Sequence, residues 1–126
     1  MRKLVIGCAL ALTPALASAD KTFTGTKEGA WDCAKEPTVH IMRGDGSYTF
    51  KGACKTISIQ GGENKLTIES VDMLSITGGN NVVNVGTVDA IKIIGAGNQV
   101  TWKKAKSGDR PKTSAIGADN RFDQAK

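Results

Sequence analysis

Between residues 57 and 102, apolar and polar side chains alternate in short bursts punctuated by glycine and asparagine. One burst sets Ile57 and Ile59 two apart. After Gly61-Gly62-Glu63-Asn64, the next does the same with Leu66 and Ile68. A period of two marks a strand with one buried face. The pattern recurs: residues 57–68, 74–85 and 91–102 each begin 17 residues after the set before. Gly61, Gly78 and Gly95 align in one column, and Asn64, Asn81 and Asn98 in another. Val71 and Val88 add a further apolar column. Weaker copies flank the three rows. Upstream, Val39, Ile41, Tyr48 and Phe50 match at a spacing of 18; downstream, residues 116–122, with Asn120, match at 22. The five extra residues fall around Pro111.

A meander of hairpins reverses direction at each turn, so equivalent residues would not stack. A solenoid keeps direction and lays each row on the next. The columns Ile59/Ile76/Ile93 and Leu66/Val83/Val100 then fill one continuous interior. The asparagines fall about 4.8 Å apart in successive turns, close enough for an amide ladder. Gly adopts positive φ at no steric cost, and Asn does so more readily than most residues. The expected fold is therefore all-β: a short single-domain β-solenoid of about four to five coils with 17-residue repeats. So short a coil suits two principal strands and a brief third side.

Composition agrees with a narrow interior. The chain has 126 residues with 15 glycines and only 6 aromatics, so stacked Ile, Val and Leu must form the core. Hydrophobic residues at 40% argue against a disordered chain, and the length allows one domain.

Residues 1–19 read as an export signal. Arg2 and Lys3 precede the apolar run 4–16, and Ala17-Ser18-Ala19 offers a cleavage point before Asp20. Cys8 after Val5-Ile6-Gly7 would suit a lipoprotein but leaves four apolar residues ahead of it. The expected location is thus periplasmic or secreted, and the apolar run is too short for a membrane span. Two cysteines remain, Cys33 and Cys54, and an even count in an exported chain reads as a disulfide. It would tie an irregular N-terminal cap, residues 20–37, to coils spanning 38–104, with 105–126 as a C-terminal loop and last partial coil or cap.

Candidate chemistry is sparse. With one histidine beside the two cysteines, no metal is expected, and no cofactor. Asp72 and Asp89 share a column, with Cys54 before and Lys106 after. Paired carboxylates serve glycosidases, but solvated surface charge is the plainer reading. His40 has no evident nucleophile partner, and the outward pairs Thr56/Ser58, Met73/Ser75 and Ala90/Lys92 are too irregular for an ice-binding face. The asymmetry lies at the C-terminal end. Residues 103–126 carry a net +4, against −1 for residues 20–102. Lys103, Lys104, Lys106, Arg110 and Lys112 are the candidate anion-binding residues. Export makes nucleic acid an unsuitable partner and anionic envelope components a natural one.

The Ile-x-Ile-x-Gly-x-x-Asn-x-Leu-x-Ile row at 57–68, its two successors and the closing stretch from 97–102 to 117–120 resemble the bacterial domain-of-unknown-function 3060 family. The resemblance implies a small exported β-solenoid and brings no activity or catalytic residues. The expected role is a non-catalytic structural or binding module of the cell envelope. The alternatives are a polysaccharide-acting β-helix enzyme, with Asp72 and Asp89 as its candidates, and a self-assembling or adhesive envelope protein.

Overall fold

A computed structural model describes residues 20–125, which contain no helix. The expected signal, residues 1–19 with Cys8, lies outside the described residues, as does Lys126. Nine strands run in chain order: β1 (Lys21–Phe23), β2 (Glu28–Asp32), β3 (Thr38–Ile41), β4 (Ser47–Gln60), β5 (Lys65–Gly79), β6 (Val82–Ala96), β7 (Gln99–Ala105), β8 (Lys112–Ile116) and β9 (Arg121–Gln124). Every pairing among them is parallel. Neighbours follow β1-β3-β4-β5-β6-β7-β9, with β2 also on β4 and β8 also on β6.

This is a β-solenoid of about five turns. The long strands β4, β5 and β6 each bend round a corner: their second halves, with β3 and β8, form the first side of the coil, and their first halves, with β2, β7 and β9, form the second. The register keeps the repeat: Leu66 faces Val83 and Ile59 faces Ile76, each 17 residues on. The first two coils are longer, with Val39 opposite Ile57 at 18. In the second of these coils the reason lies at the corner within β4, where Lys51 and Gly52 together stand opposite Glu69. Gly52 has a φ of 81°, and its N–H donates to Glu69 Oε1 at 2.7 Å. This is a β-bulge, one extra residue absorbed by a glycine.

The interior is continuous. Val39, Ile57, Leu74 and Ile91 line one inward column and Tyr48, Leu66, Val83 and Val100 another, all buried. Cys54, Val71 and Val88 form the inward column of the short third side, likewise buried.

The segment expected as irregular, residues 20–37, is instead a coil. Lys21 pairs with Val39, and Trp31 with Phe50. Aromatic packing replaces the aliphatic columns there: the Phe23 ring lies 5.0 Å from Tyr48 and 6.1 Å from Phe50. Gly29 supplies the room, since a Cβ on it would stand 3.0 Å from the Phe23 ring. Burial raises the Tyr48 phenol above its usual range, opposed by the nearby Arg43 guanidinium, and its hydroxyl donates to the Thr26 carbonyl.

Cys33 and Cys54 form the disulfide, with Cα atoms 5.0 Å apart, and both are buried at the foot of the valine column. A closed loop of this length is worth about 3 kcal/mol in the chain-entropy model. Cys33→Ala combined with Cys54→Val extends the valine column while removing the bridge. A urea unfolding curve should then show a loss of about 3 kcal/mol, with the parallel fold retained.

The turns from the first side to the second place one residue per coil in left-handed backbone. Asp45, Glu63, Asn80, Gly97 and Asp119 occupy it, with φ between 59° and 74°. Glu63 suits this conformation least, having neither the freedom of Gly nor the short polar side chain of Asn. Glu63→Asn should stabilise by about 1 kcal/mol, read as a rise of several degrees in melting temperature.

Candidate functional site

Buried polar chemistry concentrates in the asparagine column, and its bonds point inward to the fold itself. Asn64, Asn81 and Asn98 are all 0% exposed. Asn64 N–H donates to Asn81 Oδ1 at 3.0 Å, Asn81 N–H to Asn98 Oδ1 at 3.0 Å, and Asn98 N–H to Asn120 Oδ1 at 3.1 Å. The amide groups complete the ladder. Nδ2 of Asn81, Asn98 and Asn120 donates to the carbonyls of Gly61, Gly78 and Gly95. Gly46 takes the asparagine position in the first of these turns, its N–H donating to Asn64 Oδ1 at 2.9 Å. Donors and acceptors are spent on the turns, so the ladder binds coil to coil and offers nothing to a ligand.

The outer surface is where a ligand could rest. On the second side, the outward column Thr49, Thr67, Asn84 and Thr101 runs across four coils. Beside it lies a groove of about 520 Å³, lined by these residues with Lys51, Glu69, Gly86, Lys103 and Ala125. That volume lies within the common range for ligand clefts. Gly86 makes the hollow: between Glu69 below and Lys103 above it carries no side chain. A Cβ there would collide with the Glu69 carbonyl. Lys51 and Lys103 stand three strand spacings apart, about 14 Å. Glu69 lies between them with one carboxylate oxygen engaged by the Gly52 N–H.

The basic residues that the sequence groups together are dispersed. Lys103 lines the groove, whereas Lys112 borders a separate depression of about 190 Å³ on the first side, with Met73, Ala90 and Lys92. Lys104 and Arg110 are exposed at the corner and loop between β7 and β8. Lys106 reaches back across two coils to form an ion pair with Asp72. The strand register also places Lys55, and not Cys54, one coil before Asp72, because Cys54 lies opposite Val71. The column therefore reads Lys55, Asp72, Asp89, Lys106, with positive charge at both ends.

His40 has a partner that the sequence does not reveal. Its Nε2 lies 2.9 Å from Asp20 Oδ2, and Ser58 is its neighbour on the next coil. The three sit on a strand face, with His40 and Asp20 side chains 34% and 43% exposed. Neither the groove nor the smaller depression includes them. Among the described residues no three His, Cys, Asp or Glu side chains gather as a metal site requires. No helix among them is long and apolar enough to cross a membrane.

A family model described as a protein of unknown function (DUF3060) matches residues 45–86 and again 73–119. These spans contain the three aligned rows, the Gly and Asn columns and the bulge at Gly52. The chain belongs to the DUF3060 family. Comparison with curated proteins and with solved structures gave no match. Family membership thus accompanies the coil pattern and assigns no reaction, and the outer surface is the place to look for a role.

Proposed function

We propose that the protein is an exported, non-catalytic binding module of the cell envelope that holds an anionic glycan along the groove of its second side. The observation that carries this reading is the groove itself: four rungs of Thr and Asn beside Lys51 and Lys103. Hydroxyl and amide groups repeated at strand spacing suit a polymer whose hydroxyls repeat along its length. Two ammonium groups at either end suit its carboxylates. The reading as a polysaccharide-cleaving enzyme has less behind it, since Asp72 is held by Lys106 and lies outside the groove.

Titration calorimetry with polygalacturonate, and with neutral dextran as the control polymer, tests the proposal. Binding to the acidic polymer alone is expected. It should weaken on Lys51→Glu and on Lys103→Glu while Lys27→Glu, outside the groove, leaves it unchanged. Each exposed charge contact removed should weaken binding several-fold. Binding of both polymers alike, or insensitivity to both groove lysines, would remove the groove as the site.

A further inference from the structure

The two ends of the coil differ, and their difference has a direction. At the N-terminal end β1 and β2 each pair on one edge only, and at the C-terminal end so do β8 and β9. Unpaired strand edges invite a further strand unless something covers them. The N-terminal end is partly covered: the Lys21 ammonium lies 4.9 Å from the Phe23 ring centroid and 4.8 Å from that of Trp31. Among the described residues the C-terminal end has no such cover, and all five residues of β8 are exposed.

Extending each column by one coil shows what would fit the open end. The inward column Lys21, Val39, Ile57, Leu74, Ile91, Thr113 would continue into a second copy's Lys21. In that register Ala115 meets the second copy's Phe23, and Phe122 meets its Gly29. Ala115 is small where it faces Phe23, whose ring leans over Gly29 in its own copy and so also meets Phe122. The outward columns set Arg121 against the second copy's Glu28, and Lys112 against its Asp20. Arg121 is free to serve this way, since its side chain is 67% exposed and its contact with Asp123 is a loose 3.7 Å. The end strands also differ in net charge: β8 and β9 carry Lys112 and Arg121 against Asp123, whereas β1 and β2 carry Lys21 against Glu28 and Asp32.

We propose that the C-terminal end, β8 and β9, receives the N-terminal end, β1 and β2, of a second copy of this chain. The contact is head-to-tail and does not close on itself, so it builds a growing stack and not a dimer. Lys21 governs its strength, because its ammonium must leave the Phe23 and Trp31 rings before the next copy can seat. Assembly is therefore weak and dependent on concentration and salt.

Sedimentation velocity over a concentration series, at about 0.01 M and about 1 M salt, reads this directly, because the screening length falls about tenfold between them. The weight-average mass should rise past that of a dimer at low salt and fall back at high salt. Arg121→Glu should shift the association midpoint several-fold to higher concentration, and adding Glu28→Arg to it should restore the original midpoint. Lys21→Thr should shift it several-fold lower. All three positions are at least partly exposed, so circular dichroism should confirm unchanged folding in each variant. A monomer throughout, in the wild type and in Lys21→Thr alike, would overturn the proposal. So would a mass that stops at the dimer and is strengthened by Arg121→Glu, because like ends would then be meeting.

Discussion

Gly78→Ala should destabilise the fold severely, at a cost above about 4 kcal/mol. Gly78 has a φ of 139°, a region that residues with a Cβ rarely enter. The added methyl would also overlap the Gly61 carbonyl oxygen of the coil before it. That oxygen belongs to the backbone and already accepts the Asn81 amide at 3.0 Å, so it cannot swing aside. Relief would require prising two coils apart along their whole turn. Domains of this size hold about 5–15 kcal/mol in total, so such a loss removes a large share of the stability. Gly25→Ala is the matched control, since a Cβ there meets nothing within 4 Å. Soluble yield and the urea midpoint should collapse for the first and stay within about 0.5 kcal/mol for the second.

Asn81→Ala should cost about 3–5 kcal/mol for a different reason. The side chain has one acceptor and two donors, and all are used. Truncation leaves the Asn64 N–H unpaired at a position sealed from water and takes the donor from the half-buried Gly61 carbonyl, each loss costing about 1–3 kcal/mol. Position within the stack modulates the loss. Asn120 closes the ladder in the last coil and is only half-buried, so water can replace part of what it gives. Asn120→Ala should therefore cost less than Asn81→Ala. Guanidinium unfolding of the two variants side by side measures the gradient. Equal losses would mean that the ladder is not read out by burial.

The columns that these two variants probe are the part of the fold most legible in the sequence. Gly61, Gly78 and Gly95 must repeat because each packs on the one before, and the asparagines must repeat because each bonds to the next. Identity between coils is thus enforced by contact, and self-comparison of the chain recovers it. The N-terminal coil escapes the same test. There Phe23, Gly29, Tyr48 and Phe50 exchange volume among neighbouring coils, so no residue type recurs. The spacing of 18 upstream is visible, but its cause, Gly52 bulging opposite Glu69, appears only once the strands are paired.

The outer surface is less legible still. Thr49, Thr67, Asn84 and Thr101 align at the repeat spacing, yet outward positions are free to vary and carry no packing signature. The groove beside them exists because of an absent side chain at Gly86. Charge misleads in another way: Lys106 is counted with a basic cluster but spends its charge on Asp72 two coils away. Long side chains on a solenoid face reach across coils, and sequence proximity does not report that.

Parallel, in-register stacking of 17-residue coils underlies the ladder, the groove and the open end alike, and nuclear Overhauser contacts test it most directly. The stacking predicts contacts from the Ile59 side chain to Ile76 and on to Ile93, from Val83 to Val100, and from the Asn64 amide proton to the Asn81 side chain. Close Hα–Hα contacts between the two strands of a single row, as between residues 57–60 and 65–68, would instead show antiparallel hairpins and contradict the account.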